Sequence, residues 1–97
     1  MIDISNLKMR EFEVSENLEQ ILIRLLKKDK ELYEQIKRKM NEIINSEDIE
    51  HYKNLRYNMK DCKRVHIGHF VLIFRYNKNS DIVAFDDFDH HDRVYKK

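Results

Sequence analysis

Residues 62–95, CKRVHIGHFVLIFRYNKNSDIVAFDDFDHHDRVY, leave this chain few folds to choose from. They hold three strand-like segments joined by turns that suit hairpins, followed by a short polar tail. Val65 and Ile67 alternate with Arg64 and His66, so one face of the first segment can join a core while the other presents cations. Gly68, the one glycine of the chain, precedes His69 and suits a two-residue turn, where a positive φ costs glycine little. Residues 70–74 are apolar throughout, the pattern of a central strand covered on both faces, and residues 82–85, after a turn at 77–81, form its hairpin partner.

The first half reads as helices. Residues 10–14 put Phe12 and Val14 on one face of a short strand, and Ser15 is a good N-cap with Glu16 favourably placed behind it. Leu18, Ile21, Leu22, Leu25 and Leu26 recur at helical spacing, as do Leu32, Ile36, Met40, Ile43 and Ile44. One helix over residues 15–45 would run about 46 Å, too long for a domain of radius about 13 Å, so a break is expected near Lys28 and Asp29, with Asp29 capping the second helix. Residues 45–53 are a polar connection with one helical turn around 49–52, and residues 1–8 form either a loose arm or an extra strand. The expected fold is α+β: a single domain over residues 1–97, its helical hairpin packed on one face of a small twisted antiparallel sheet whose other face is concave and partly basic.

One cysteine, Cys62, excludes an internal disulfide and a cysteine-based zinc site. No apolar stretch near Met1 reads as a signal peptide or a membrane span, so a cytoplasmic protein is expected. The 19 Lys+Arg nearly balance 18 Asp+Glu, and partners must be inferred from where the charges lie. Lys53, Arg56, Lys60, Lys63, Arg64 and Arg75 are opposed only by Asp61 between 53 and 75, with Tyr52, Tyr57 and histidines interleaved. Such a stretch suits a phosphate-bearing partner, cations meeting the backbone and rings stacking on unpaired bases; the ordinary alternative is a solvated strand face.

Leu55-Arg56, the Arg64-Val65-His66-Ile67-Gly68 strand and turn, the apolar strand over 71–74 and above all the closing His90-His91-Asp92-Arg93-Val94-Tyr95 resemble the RelE/ParE superfamily of toxins from toxin–antitoxin pairs. The likeness is to its RelE-like branch of ribosome-dependent mRNA endonucleases. It implies a RelE-like fold and metal-independent cleavage, in which the ribose 2′-OH attacks the adjacent phosphate with a base, an acid and phosphate-binding cations around it. By the likeness Arg64 is a phosphate ligand, His66 the candidate base, either His90 or His91 the acid with His91 the first choice, and Tyr95 the tail tyrosine that orients substrate. Arg56, Lys60, Lys63, His90 and Arg93 are the candidate substrate-binding residues, while His51 and His69 read as ordinary. No cofactor or metal is implied. The implied partners are mRNA on the ribosome and a small acidic antitoxin, adding a strand at a sheet edge or a helix in an apolar groove.

The chain departs from that family where many relatives carry an arginine early in the second hairpin strand, since Val71 cannot hold a phosphate. Asp86, Asp87, Asp89 and Asp92 also oppose RNA unless they face away or are neutralised by Arg93 and Lys96. A catalytically weakened RNA-binding domain and a ParE-like gyrase poison therefore stand as alternatives. A metal hydrolase using Asp86, Asp87, Asp89, His90, His91 and Asp92 is the third, and its ligands lie too close along one strand to converge.

Overall fold

The computed structural model describes residues 10–52 and 62–95, with the backbone alone at Tyr95. The readings of residues 1–8, of Lys53, of Leu55-Arg56, of Tyr57, of Lys60, of Asp61 and of Lys96 lie outside the described residues. Element order is β1 (Glu11–Val14), α1 (Glu16–Lys28), α2 (Lys30–Ile44), a single 3-10 turn (Ile49–His51), β2 (Lys63–Ile67), β3 (Phe70–Asn77), β4 (Ile82–His90) and α3 (His91–Tyr95).

The helical hairpin breaks where expected, for a reason that Asp29 supplies at both ends. Its backbone N–H donates to the Leu25 carbonyl and closes α1, and its Oδ1 accepts the Leu32 N–H at 3.2 Å and opens α2. Ser15 caps α1 as its position suggested, its Oγ accepting from the Leu18 N–H at 3.0 Å.

The sheet order is β1-β4-β3-β2, with β3 interior as its apolar sequence requires. Gly68 takes φ +61° in the two-residue turn between β2 and β3, and Asp81 takes φ 58° at the β3–β4 turn, a conformation aspartate tolerates better than most residues. The three C-terminal strands are antiparallel, whereas β1 pairs parallel to β4, Glu11 opposite Ile82 through Val14 opposite Phe85. The sheet is thus mixed at this edge. Strand direction at so distant a pairing carries no local signature.

β4 contains an extra residue. Ile73 pairs with Asp87 and Phe74 with Phe85, so Asp86 is a bulge. One inserted residue reverses the alternation, and Val83, Phe85 and Phe88 all enter the same core despite their odd and even numbering. That core joins Leu18 of α1 and Ile36, Met40, Ile43 and Ile44 of α2 to Ile67, Leu72 and Phe74. The opposite face carries a smaller cluster of Val71, Ile73 and Val94, with Cys62 against it. The expected polar tail is in fact a short helix, which Val94 anchors on that face.

Arg10 closes the far end. Its guanidinium donates to the carbonyls of Ile44 (3.2 Å) and Ser46 beyond α2, and its Nε to Asp81 at 2.7 Å. Carbonyls left over at a helix end thereby gain donors, and the β3–β4 turn is tied to the helix layer.

Ser15 also donates its hydroxyl to the Asp86 carbonyl at 2.6 Å, so it joins the helix start to the bulge. Ser15→Ala should cost about 1–2 kcal/mol and lower Tm by several degrees, while Ser80→Ala at an exposed turn stays within about 0.5 kcal/mol. Paired denaturant and thermal unfolding curves check this, and equal stabilities would refute the cap.

Candidate functional site

Arg64 and His66 project from β2 on the face opposite the helices, because their cross-strand partners are Ile73 and Val71 while Ile67 and Val65 turn into the main core. His66 is exposed and Arg64 half-buried. His91, the first residue of α3, is brought to the same place. Its N–H donates to the His69 carbonyl at 2.9 Å, and three residues on Val94 is buried against Val71 and Ile73. One end of α3 is thus hydrogen-bonded to the hairpin turn and the other is packed on the sheet. The His66 and His91 rings lie 5.4 Å apart between centroids, tilted by 32°.

Partial desolvation by the surrounding protein, incomplete because the side chain is exposed, lowers the pKa of His66 from its ordinary value of 6.5, and the positive charge of Arg64 and the neighbouring His91 lower it further. Near neutral pH His66 is therefore the free imidazole, the form that accepts a proton. The arrangement combines an acceptor, a second imidazole and a fixed cation on one surface, the components that general acid–base cleavage of a phosphodiester requires.

The other candidates divide. His90 turns away from His91 and meets Phe70, with centroids 5.6 Å apart at 75°, and its ring runs nearly parallel to His69 at 6.3 Å. Its Nδ1 accepts the Asp92 N–H at 3.3 Å. Arg93 is exposed, its guanidinium 3.8 Å from Asp89. Lys63 differs from its expected place on a substrate surface. It pairs with Phe74 on the helix side, is 7% exposed, and its Nζ donates to the Tyr52 carbonyl at 3.2 Å, with Glu50 at 3.8 Å. The lysine belongs to the core-facing alternation of β2, where it braces the 3-10 turn. Arg56, Lys60 and the Tyr95 side chain lie outside the described residues, although the α3 backbone carries Tyr95 one residue beyond Val94.

The acidic residues have local partners. Asp86 accepts both Nε and a terminal nitrogen of Arg75, at 2.7 and 3.1 Å, and Asp87 accepts from the Asn17 amide at 2.8 Å. Asp86 therefore raises the Arg75 pKa and its own charge is offset. Arg38 and Lys39 escaped the sequence reading. They line a shallow depression of about 310 Å³ with Glu42, His66 and Gly68 at the β2 edge, where Lys39 donates to Glu42 at 3.1 Å. Their only signal was the basic run Lys37-Arg38-Lys39 on a helix, which normally reads as a solvated face. Among the described residues no group of three or more His, Cys, Asp or Glu side chains is placed to hold a metal ion.

Comparison with known proteins gives this geometry its context. Residues 13–95 match the family model described as ParE toxin of type II toxin-antitoxin system, parDE. A protein of Methanocaldococcus jannaschii named "Putative toxin RelE4" is 48% identical over 92% of this chain and 94% of its own, and an uncharacterized protein of Methanosarcina mazei is 45% identical over 74% and 83%. Among solved structures, YafQ from E. coli superposes with a TM-score of 0.69 at 17% identity, covering 90% of this chain and 99% of that one. An E. coli RelE mutant in complex with an antitoxin RelBc peptide gives 0.56 at 23% identity, covering 90% of each. These two share the fold. The family match and the close archaeal relative together establish that this chain belongs to the RelE/ParE superfamily, as a toxin of a type II toxin–antitoxin system.

Proposed function

We propose that the toxin is a ribosome-dependent mRNA endonuclease, a single domain that inhibits translation by metal-independent cleavage. The observation that carries the reading is the His66–His91 pair beside Arg64. His66 takes the proton of the ribose 2′-OH as that oxygen attacks phosphorus. The bond from phosphorus to the 5′ oxygen breaks, and His91 returns a proton to the leaving oxygen, giving a 2′,3′-cyclic phosphate and a 5′-hydroxyl. Arg64 stabilises charge on the phosphate oxygens, and Tyr95 at the end of α3 orients the substrate. Arg56, Lys60, His90 and Arg93 contact RNA nearby, and Lys63 acts by bracing the sheet.

Likeness of fold to YafQ and RelE supports this branch. A small acidic antitoxin is the proposed protein partner, in keeping with the toxin–antitoxin family and with the peptide-bound RelE structure, and the proposed setting is the cytoplasm. The family description, ParE toxin, favours a second reading in which the target is DNA gyrase. Induced expression with and without the neighbouring small gene, scored for growth and mRNA cleavage, separates them. Growth arrest with intact mRNA and inhibited supercoiling would select gyrase.

His66→Ala, His91→Ala and Tyr95→Ala should each cut mRNA cleavage on the order of 10²-fold with the fold retained. Full toxicity in all three would remove these residues from the mechanism.

The pH profile gives an independent check. A base with a lowered pKa stays unprotonated into mildly acid solution, so cleavage should fall only below pH 6.5, as His66 takes up a proton. An acid limb centred above 6.5 would assign the base to another group.

A further inference from the structure

We infer that the notch at the tip of the β2–β3 hairpin, walled by Phe70, His90, Asp89, Asp92 and Arg93, seats one unpaired nucleobase bearing an amino group. The inference rests on the nuclease reading and adds to it a base preference. The notch is about 530 Å³, on the scale of a small-molecule site. His90 and His91 are consecutive, yet His91 faces His66 and His90 faces Phe70. A strand of RNA with its phosphate at His66 and His91 thus has the notch within a nucleotide of the cut.

The chemistry of the walls suits a base. Phe70 and His90 meet nearly at right angles, giving a floor and a wall, with Phe88 stacked on Phe70 at 5.0 Å and His69 stacked parallel to His90 at 6.3 Å. Bases stack on such rings whatever their sequence. Selection comes from the carboxylates. Asp89 is fixed by accepting the His90 N–H at 2.7 Å, and Asp92 is 69% exposed at the mouth. Ionised carboxylates only accept hydrogen bonds. Adenine, cytosine and guanine each offer an amino donor to them, whereas uracil flanks its single N–H with two carbonyl oxygens that a carboxylate repels. Arg93, exposed beside Asp89, supplies a cation for the adjoining phosphate.

Binding of 2′-O-methyl oligonucleotides, which lack the attacking hydroxyl, tests this with the intact protein and isotope-labelled histidines. Oligoadenylate and oligocytidylate should bind about tenfold more tightly than oligouridylate and should shift the His69 and His90 ring resonances. In Asp89→Asn/Asp92→Asn the ratio should fall to about one; asparagine keeps the oxygen that receives the His90 N–H. Asp92→Ala alone, at an exposed position, repeats the test without touching that contact. A ratio near one in the natural protein, or a ratio that survives these changes, overturns the inference. Shifts confined to His66 and His91, or no imidazole shift at all, also overturn it, while the nuclease reading stands or falls separately on mRNA cleavage after induced expression. Loss of antitoxin affinity in the variants with the base ratio unchanged would give the notch to the protein partner and overturn it equally.

Discussion

The extra residue at Asp86 is the constraint on which the rest of this fold turns. A regular β4 would alternate strictly, and Phe88 would leave the core that Val83 and Phe85 enter. With the bulge, all three side chains join the one core that also holds Leu18 of α1 and Ile36, Met40, Ile43 and Ile44 of α2. The irregular backbone is then held from two sides. Ser15 donates to the Asp86 carbonyl from the start of α1, and Arg75 grips the Asp86 carboxylate from β3. The same residue therefore sets strand register, helix entry and the charge of one sheet face.

Past the bulge, β4 runs on beyond the end of β1 and delivers the chain to α3. That last turn is short, and a helix of one turn has little stability of its own. It is held by tertiary contacts: the His91 N–H on the hairpin turn and Val94 on Val71 and Ile73. Val71, at the position where the family resemblance implies an arginine, thus has a positive role as part of the seat for the tail.

Charge around the candidate site is set by pairing more than by composition. Arg75 and Asp86 offset each other, Arg93 stands near Asp89, and Lys63 is drawn into the core, while Arg38 and Lys39 enter the surroundings of His66 from α2. Of these two, Lys39 is itself paired with Glu42 at 3.1 Å, so among the described residues Arg38 and Arg64 are the cations that a near-neutral chain keeps close to its histidine pair.

Much of the architecture was legible because its causes are local. Ser15 and Asp29 announce helix starts, the lone Gly68 announces a two-residue turn, and the apolar run at 70–74 announces an interior strand; each depends on a residue's own conformational and solvation preferences. The family resemblance was legible for the same kind of reason, in the order of Arg64, His66 and the closing HHDRVY. Tertiary structure alone decided what depends on residues far apart in the chain. The parallel pairing of β1, the inward turn of Lys63, the Arg10 clamp, and the opposite directions of His90 and His91 follow from register, packing and one inserted residue. Alternation tells which residues share a face, but which face meets the helices, and which distant group lies across from it, is fixed only when the strands are assembled.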